Sequence, residues 1–251
     1  TGVQTCALPI FLVKILDAEQ TLSVQVHPPA HIAPKLNGQP KTEMWYIADA
    51  RPDACLYAGL KHGTTRAEFE RRLGDGSVEQ CLHRIPVREG DAMFLPSGRC
   101  HAIGGGNVIF EIQQNSDTTY RVFDWNRVGL DGKSRELHVP ESLASIDFND
   151  FEPAIVSTAE VTGPNFRWRQ LVQDPLFSVT LFTGLTRDIL SLRPRRAVII
   201  GVVKGQVRVT GASQDPAVVL QAGGFCLIPA SLPAADLWLE PGTTFLQIEA
   251  G

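Results

Sequence analysis

Residues 90–127 read GDAMFLPSGRCHAIGGGNVIFEIQQNSDTTYRVFDWNR, and the reading of this stretch decides the fold. A Gly90-Asp91 turn leads into a short apolar strand, 92–95, which a Pro96-Ser97-Gly98 corner brings to an end. The corner delivers a single histidine, His101, to the start of a glycine loop. The chain then re-enters a strand over 107–114, where Val108, Phe110 and Ile112 alternate with Ile109, Glu111 and Gln113. Behind it Asp117, Arg121 and Asp124 are interleaved with Tyr120, Phe123 and Trp125, an aromatic group that reads as core rather than as a ligand-stacking platform. A segment that only closed a β-sheet would not carry so many polar groups, so chemistry is expected here.

Upstream of this stretch the same period-2 pattern recurs. Strands are expected over 11–16, 22–27, 41–47 and 54–60, separated by turn residues. On the second strand Ser23, Gln25 and His27 share one face and Leu22, Val24 and Val26 the other. The period changes at 64–73, where Thr65 and Glu68 form a capping box and Gly74 ends a helix; a second short helix is expected over 77–84. Residues 137–148 hold a further short helix starting after Pro140, and the polar join 147–153 marks a domain boundary. Beyond it, seven short strands are expected at the spacing of sandwiches and barrels. Val87-Arg-Glu-Gly-Asp-Ala-Met-Phe-Leu-Pro-Ser97 is echoed by Leu220-Gln-Ala-Gly-Gly-Phe-Cys-Leu-Ile-Pro-Ala230, and only the first copy is followed by a histidine. The fold class is therefore mainly all-β: two barrels of one kind, over 11–150 and 151–251, with a helical insertion at about 64–85 and metal ligands only in the first. Residues 1–10, TGVQTCALPI, read badly as a domain start and are expected to be a non-native leader.

The 251 residues suffice for a sizeable core, and a net charge of −4 argues against nucleic acid, which needs a basic face. The five cysteines are scattered, without a Cys-x-x-Cys pair, as expected of buried thiols in a reducing compartment. No apolar run approaches the roughly 20 residues of a membrane span, and the cytoplasm is the expected location.

His27, Glu43 and His101, with Gln25 beside His27, are the residues to bring together. They lie far apart in sequence, so they meet only if three strands converge inside one barrel. Two imidazoles and a carboxylate make a catalytic-type zinc set with positions left open, and an amide oxygen is a neutral supplement. Taken singly, a strand histidine is more often a hydrogen-bonded or exposed side chain. His31, His62, His83 and His138 read as surface residues. A Gln-x-His directly before Pro-Pro, with a Lys-x-Glu downstream, adds weight to the set.

Leu22-Ser-Val-Gln-Val-His-Pro28, Lys41-Thr-Glu-Met-Trp-Tyr46, Pro96-Ser-Gly-Arg-Cys-His-Ala102 and Phe110-Glu-Ile-Gln-Gln-Asn-Ser-Asp-Thr-Thr-Tyr-Arg-Val-Phe-Asp-Trp125 together resemble type I mannose-6-phosphate isomerase in its short bacterial form. The likeness is strong to Phe148 and faint beyond. It implies cupin barrels (double-stranded β-helix or jelly roll) and one zinc ion per chain. The activity it implies is interconversion of mannose 6-phosphate and fructose 6-phosphate through a cis-enediol. By the same resemblance Gln25, His27, Glu43 and His101 fall on zinc-ligand positions and Arg121 on the active-site arginine. Ser23, Lys41, Glu111 and Asp117 fall on positions lining the sugar-phosphate pocket. The family's segment ahead of Phe11, which packs on the catalytic barrel, is missing or replaced here.

The implied partner is a small sugar phosphate, with neither nucleic acid nor membrane; monomer and dimer stay open. The base is left between Glu111 and a water on the metal. Arg121 is alternatively a salt bridge to Asp117 or Asp124, and Lys41 a solvated strand edge. The competing functions are a cupin isomerase or epimerase for another sugar phosphate and a non-catalytic sugar-binding cupin.

Overall fold

The computed structural model describes residues 11–129, 132–211 and 216–251. The leader expected at 1–10 lies outside the described residues. The chain divides into two compact units between Val156 and Ser157, just past the expected join.

In the first unit the strands are β1 (Phe11–Ala18), β2 (Val24–Val26), β3 (Glu43–Ala50), β4 (Cys55–Leu60), β5 (Leu82–Pro86), β6 (Ala92–Leu95), β7 (His101–Ile103), β8 (Asn107–Gln114) and β9 (Tyr120–Phe123). They form two antiparallel sheets, ordered β1-β8-β3-β6 and β5-β4-β7-β2-β9. Trp45, Ile47, Met93, Leu95 and Ile109 from the first sheet pack on Leu56, Ala58 and Ile103 from the second. Fully burying each large aliphatic side chain contributes roughly 1.5–3 kcal/mol. The outer face of the second sheet is covered in turn. Val24, Val26, Tyr57 and Val122 pack with Phe69 of α1 (Arg66–Gly74) and with Leu143 of α2 (Val139–Ser145). Val24 and Val26 therefore turn outward into that second core, and alternation turns Gln25 inward.

Helix α1 begins as expected, with the Thr65 side chain accepting from the Glu68 backbone N–H at 3.2 Å. The second helix expected over 77–84 does not form. Val78–Cys81 makes one 3-10 turn, and Leu82–Pro86 becomes β5, paired with β4 through Cys55↔Pro86, Leu56↔Ile85 and Tyr57↔Arg84. Val78 and Leu82 are both buried at helical spacing, but the backbone of β4 needs a hydrogen-bonding partner and residues 82–86 supply it. His101 likewise opens a strand, not a loop: β7 bridges β4 and β2 through Ala58↔His101 and Gln25↔His101.

The second unit holds β10 (Val161–Thr162), β11 (Phe166–Gln173), β12 (Phe177–Gly184), β13 (Asp188–Leu192), β14 (Val198–Lys204), β15 (Gln206–Gly211), β16 (Val218–Gln221), β17 (Phe225–Ile228), β18 (Ala235–Leu239) and β19 (Thr244–Ala250). Its sheets run β10-β11-β12-β19-β14-β17 and β13-β18-β15-β16. The sequence pattern did not announce β13 or β18. The order β12-β19-β14-β17 repeats β1-β8-β3-β6, and β13-β18-β15-β16 repeats β2-β7-β4-β5. Both units thus follow one cupin-like plan.

The corner before His101 is fixed by Gly98. Its φ of +96° is open to glycine and strained for other residues, and an added Cβ would meet Pro29 Cγ at 3.2 Å. Gly98 N–H donates to the His27 carbonyl at 2.8 Å, and Gly98 O accepts from Asp147 N–H at 2.9 Å. Gly98→Ala is therefore expected to lower unfolding free energy by roughly 1–3 kcal/mol in a denaturant titration. An unchanged midpoint would show that the corner relaxes freely.

Candidate active site

Three strands converge on one buried cluster. β3 opens with Glu43, β7 opens with His101, and His27 directly follows β2. All three side chains are almost completely buried, and their candidate ligand atoms lie within 4.8 Å of one another. Glu43 Oε1 is 3.3 Å from His27 Nε2, and Glu43 Oε2 is 3.6 Å from His101 Nε2.

The outer nitrogens settle which way the lone pairs point. His27 Nδ1 lies 2.9 Å from the Thr118 carbonyl, and His101 Nδ1 lies 2.9 Å from the Arg99 carbonyl. A carbonyl only accepts, so each Nδ1 carries a proton and donates it. The Nε2 atom of a neutral ring is then an acceptor, and both face the Glu43 carboxylate. Burial, partly offset by Glu43, pulls His101 down to about 4, so its ring is neutral at pH 7. Burial works against ionisation of Glu43, yet a proton on the His27 or His101 ring and the Lys41 ammonium each favour the carboxylate and hold it well below the usual carboxylate range. Lys41 Nζ, 2.9 Å from Glu43 Oε1, supplies one positive charge and still leaves His27 Nε2 buried without a hydrogen-bond partner. Two lone pairs and an anion converging on one point are the donor set of a divalent metal, and these residues fit one.

Beside the cluster lies a cavity of about 320 Å³, lined among others by Lys14, Ser23, Gln25, Lys41, Glu43, Trp45, His101 and Glu111. Gln25 Nε2 donates to Ser23 Oγ at 3.2 Å, which orients the amide. Glu111 is clamped from two sides. Trp45 Nε1 donates to its Oε1 at 3.0 Å, and Lys14 Nζ donates to its Oε2 at 3.3 Å. Burial and the nearby Glu43 charge push the Glu111 carboxyl above its ordinary value. The site therefore pairs one firmly ionised carboxylate with one that accepts a proton more readily, an arrangement suited to acid–base chemistry.

The chain is similar to known proteins in sequence and in fold. The Streptococcus mutans mannose-6-phosphate isomerase is 33% identical over 222 residues, covering 88% of this chain and 68% of that protein. The chain belongs to the mannose-6-phosphate isomerase family. The Bacillus subtilis mannose-6-phosphate isomerase ManA is 46% identical over 138 residues, 54% of this chain and 44% of the relative. The probable mannose-6-phosphate isomerase GmuF of the same organism is 42% identical over 171 residues, 67% of this chain and 53% of the relative. The chain thus spans about half the length of these two curated relatives. The crystal structure of the Bacillus subtilis mannose 6-phosphate isomerase superposes with a TM-score of 0.83 at 26% identity, covering 95% of this chain and 74% of that one. No protein-family model matches the chain.

The residues carried over from family resemblance are not all brought together. Ser23, Gln25, Lys41, Glu43, Glu111 and His101 line the cavity, and His27 stands behind it in the cluster. Asp117 is solvent-exposed in the β8–β9 loop, outside the lining, because that loop turns back through Ser116 and Thr118 to hold His27 and Gln39. Arg121 is also outside the lining. Its backbone registers with Gln25, but its guanidinium donates to the Glu136 carbonyl at 2.8 Å and makes no ion pair with Asp117 or Asp124. His138, read as a partnerless surface residue, accepts from the Arg121 backbone N–H at 3.1 Å. Tyr120 and Phe123 are core residues as expected, with Trp125 packed against them.

Two functional features escaped the sequence reading. Lys14 sits as one cation in the apolar run of β1, where only its pairing with Glu111 on β8 places it at the cavity. Arg99, whose carbonyl orients His101, is itself held by a two-point ion pair to Asp150 with both contacts at 2.8 Å. Asp150→Asn should therefore loosen the His101 ring and lower divalent-metal affinity by roughly 10–100-fold in a competitive chelator titration. Unaltered affinity in a folded variant would remove Arg99 and Asp150 from the support of the site.

Proposed function

We propose that this chain is a zinc-dependent isomerase that interconverts mannose 6-phosphate and fructose 6-phosphate. The observation that carries the proposal is the buried His27–Glu43–His101 cluster opening on a cavity that also holds Glu111. Gln25, His27, Glu43 and His101 would hold one zinc ion. Bound there, the metal supplies Lewis-acid stabilisation of charge developing on the sugar oxygens, typically worth several kcal/mol.

The remaining work falls to side chains. In the forward direction Glu111 takes the C2 proton of the open-chain aldose while the carbonyl π electrons move to O1. O1 takes a proton from solvent water, which gives a cis-enediol. The O2 proton returns to solvent water as the C2=O2 bond forms, and the C1=C2 electron pair takes up the proton held by Glu111 at C1. One residue can serve both transfers because both carbons present the same face. Trp45 Nε1 and Lys14 Nζ hold the carboxyl in place for them. Ser23 and Lys41 bind the sugar phosphate from the lining, and Lys14 joins them as a second cation in a chain whose net charge is −4. Arg121 pairs with Gln25 in the sheet and has an Nε without a partner; turned away from the Glu136 carbonyl, its guanidinium would bring a charge to the enediol or the phosphate.

The direct test is a coupled assay that detects fructose 6-phosphate formed from mannose 6-phosphate. Turnover is expected to vanish on chelation and to return with zinc. Glu111→Gln should keep its metal and lose roughly 10²–10⁴ in kcat, the contribution of a positioned base. Full turnover in metal-free protein, or in Glu111→Gln, would defeat the proposal.

A further inference from the structure

The second unit keeps the plan of the first, and the residue registers allow a position-by-position comparison. Leu95-Pro96 ends β6 as Ile228-Pro229 ends β17. From those anchors, the row Lys14–Glu111–Trp45–Met93 corresponds to Thr180–Gln247–Ile200–Cys226. The next row, Leu12–Gln113–Glu43–Leu95, corresponds to Ser178–Glu249–Val198–Ile228. The metal carboxylate is thus replaced by Val198. The amide–carboxylate pair on the central strand persists in exchanged order: Glu111 and Gln113 on β8 become Gln247 and Glu249 on β19.

This corner is open. A cavity of about 210 Å³ is lined by Leu192, Arg193, Pro194, Arg195, Val198, Gln247 and Glu249. Gln247 Nε2 donates to Glu249 Oε1, but Gln247 Oε1 is buried and has no partner. An unpartnered buried acceptor calls for a donor from a ligand, and a hydroxyl group fits. Arg193 and Arg195 are exposed at the same cavity, and Arg196 occupies the place of Lys41, two residues ahead of the β14 position matching Glu43. Arg196 is fixed by donating to the Ala250 carbonyl at 2.9 Å. Two guanidinium groups beside a single carboxylate leave a local positive excess in an acidic chain, which suits an anion with bidentate oxygens.

We infer that the second unit carries a separate binding site for a phosphorylated sugar, built on Arg193, Arg195, Gln247 and Glu249. The guanidinium groups take the phosphate, and Gln247 and Glu249 accept from sugar hydroxyls. Lacking the metal carboxylate and a histidine in the segment after Pro229, the site binds without turnover. It lies wholly in the second unit and does not depend on the catalytic reading of the first.

The test is calorimetric titration of the full metal-free chain with mannose 6-phosphate and, separately, with inorganic phosphate. A binding event is expected that Arg193→Ser/Arg195→Ser weakens about tenfold or more, while zinc affinity of the His27–Glu43–His101 cluster stays unchanged. Both arginines are exposed, so the double variant keeps the core intact. Gln247→Leu should weaken mannose 6-phosphate several-fold and leave inorganic phosphate as it was. The first unit's cavity binds sugar phosphate as well, so two events are expected per chain; a single event, or two events that both survive the double substitution, overturns the inference. An equal response of the two probes to Gln247→Leu also overturns it, reducing the site to a surface anion contact.

Discussion

Everything at the first site depends on where two imidazole protons go. Thr118 and Arg99 each offer a carbonyl to the Nδ1 of a buried histidine, and a carbonyl cannot donate. Both Nε2 lone pairs are thereby aimed at a buried carboxylate, an arrangement unfavourable by itself and favourable around a cation. The strands exist to impose this convergence. Gln25↔His101 and Ala58↔His101 tie β7 to its neighbours, and Gly98 ties the end of β2 to the corner that precedes β7. A site spread over 74 positions of sequence between His27 and His101 is thus held by local sheet geometry and one glycine corner.

The comparison between units separates what the plan needs from what the chemistry needs. Large apolar residues recur in both: Ile47, Leu95 and Ile109 in the first, Val202, Ile228 and Phe245 in the second. The polar rows diverge. Val198 stands where Glu43 stands, so the second unit fills with an apolar side chain the place where the first builds its cluster. Removing one charged member of such a cluster leaves the others costly to bury, which explains why the histidines are absent with it.

Much of this was legible in the sequence, and the failures have physical causes. His27 and Glu43 were readable because polar residues at alternate positions of otherwise apolar strands must line something; His101 was read at the start of a loop, and the family resemblance put it on a zinc-ligand position. The echo of Val87–Ser97 in Leu220–Ala230 announced the repeated plan. Lys14 was not readable as a site residue, since nothing in Phe-Leu-Val-Lys-Ile-Leu says which strand lies opposite; Glu111 becomes its neighbour only through β1–β8 pairing. Residues 77–84 carry apolar side chains at helical spacing, yet the open edge of β4 drew 82–86 into a strand. Arg121 was legible as a charge near the site, but not as a group whose guanidinium turns to the Glu136 carbonyl. Long flexible side chains choose partners that only the assembled surface supplies.

X-ray absorption at the zinc edge of the loaded, dialysed full chain probes the central claim most directly. The account predicts retained zinc in a nitrogen and oxygen environment with scattering from two imidazole rings and none from sulfur. Zinc lost on dialysis, or a shell containing thiolate sulfur, would contradict it.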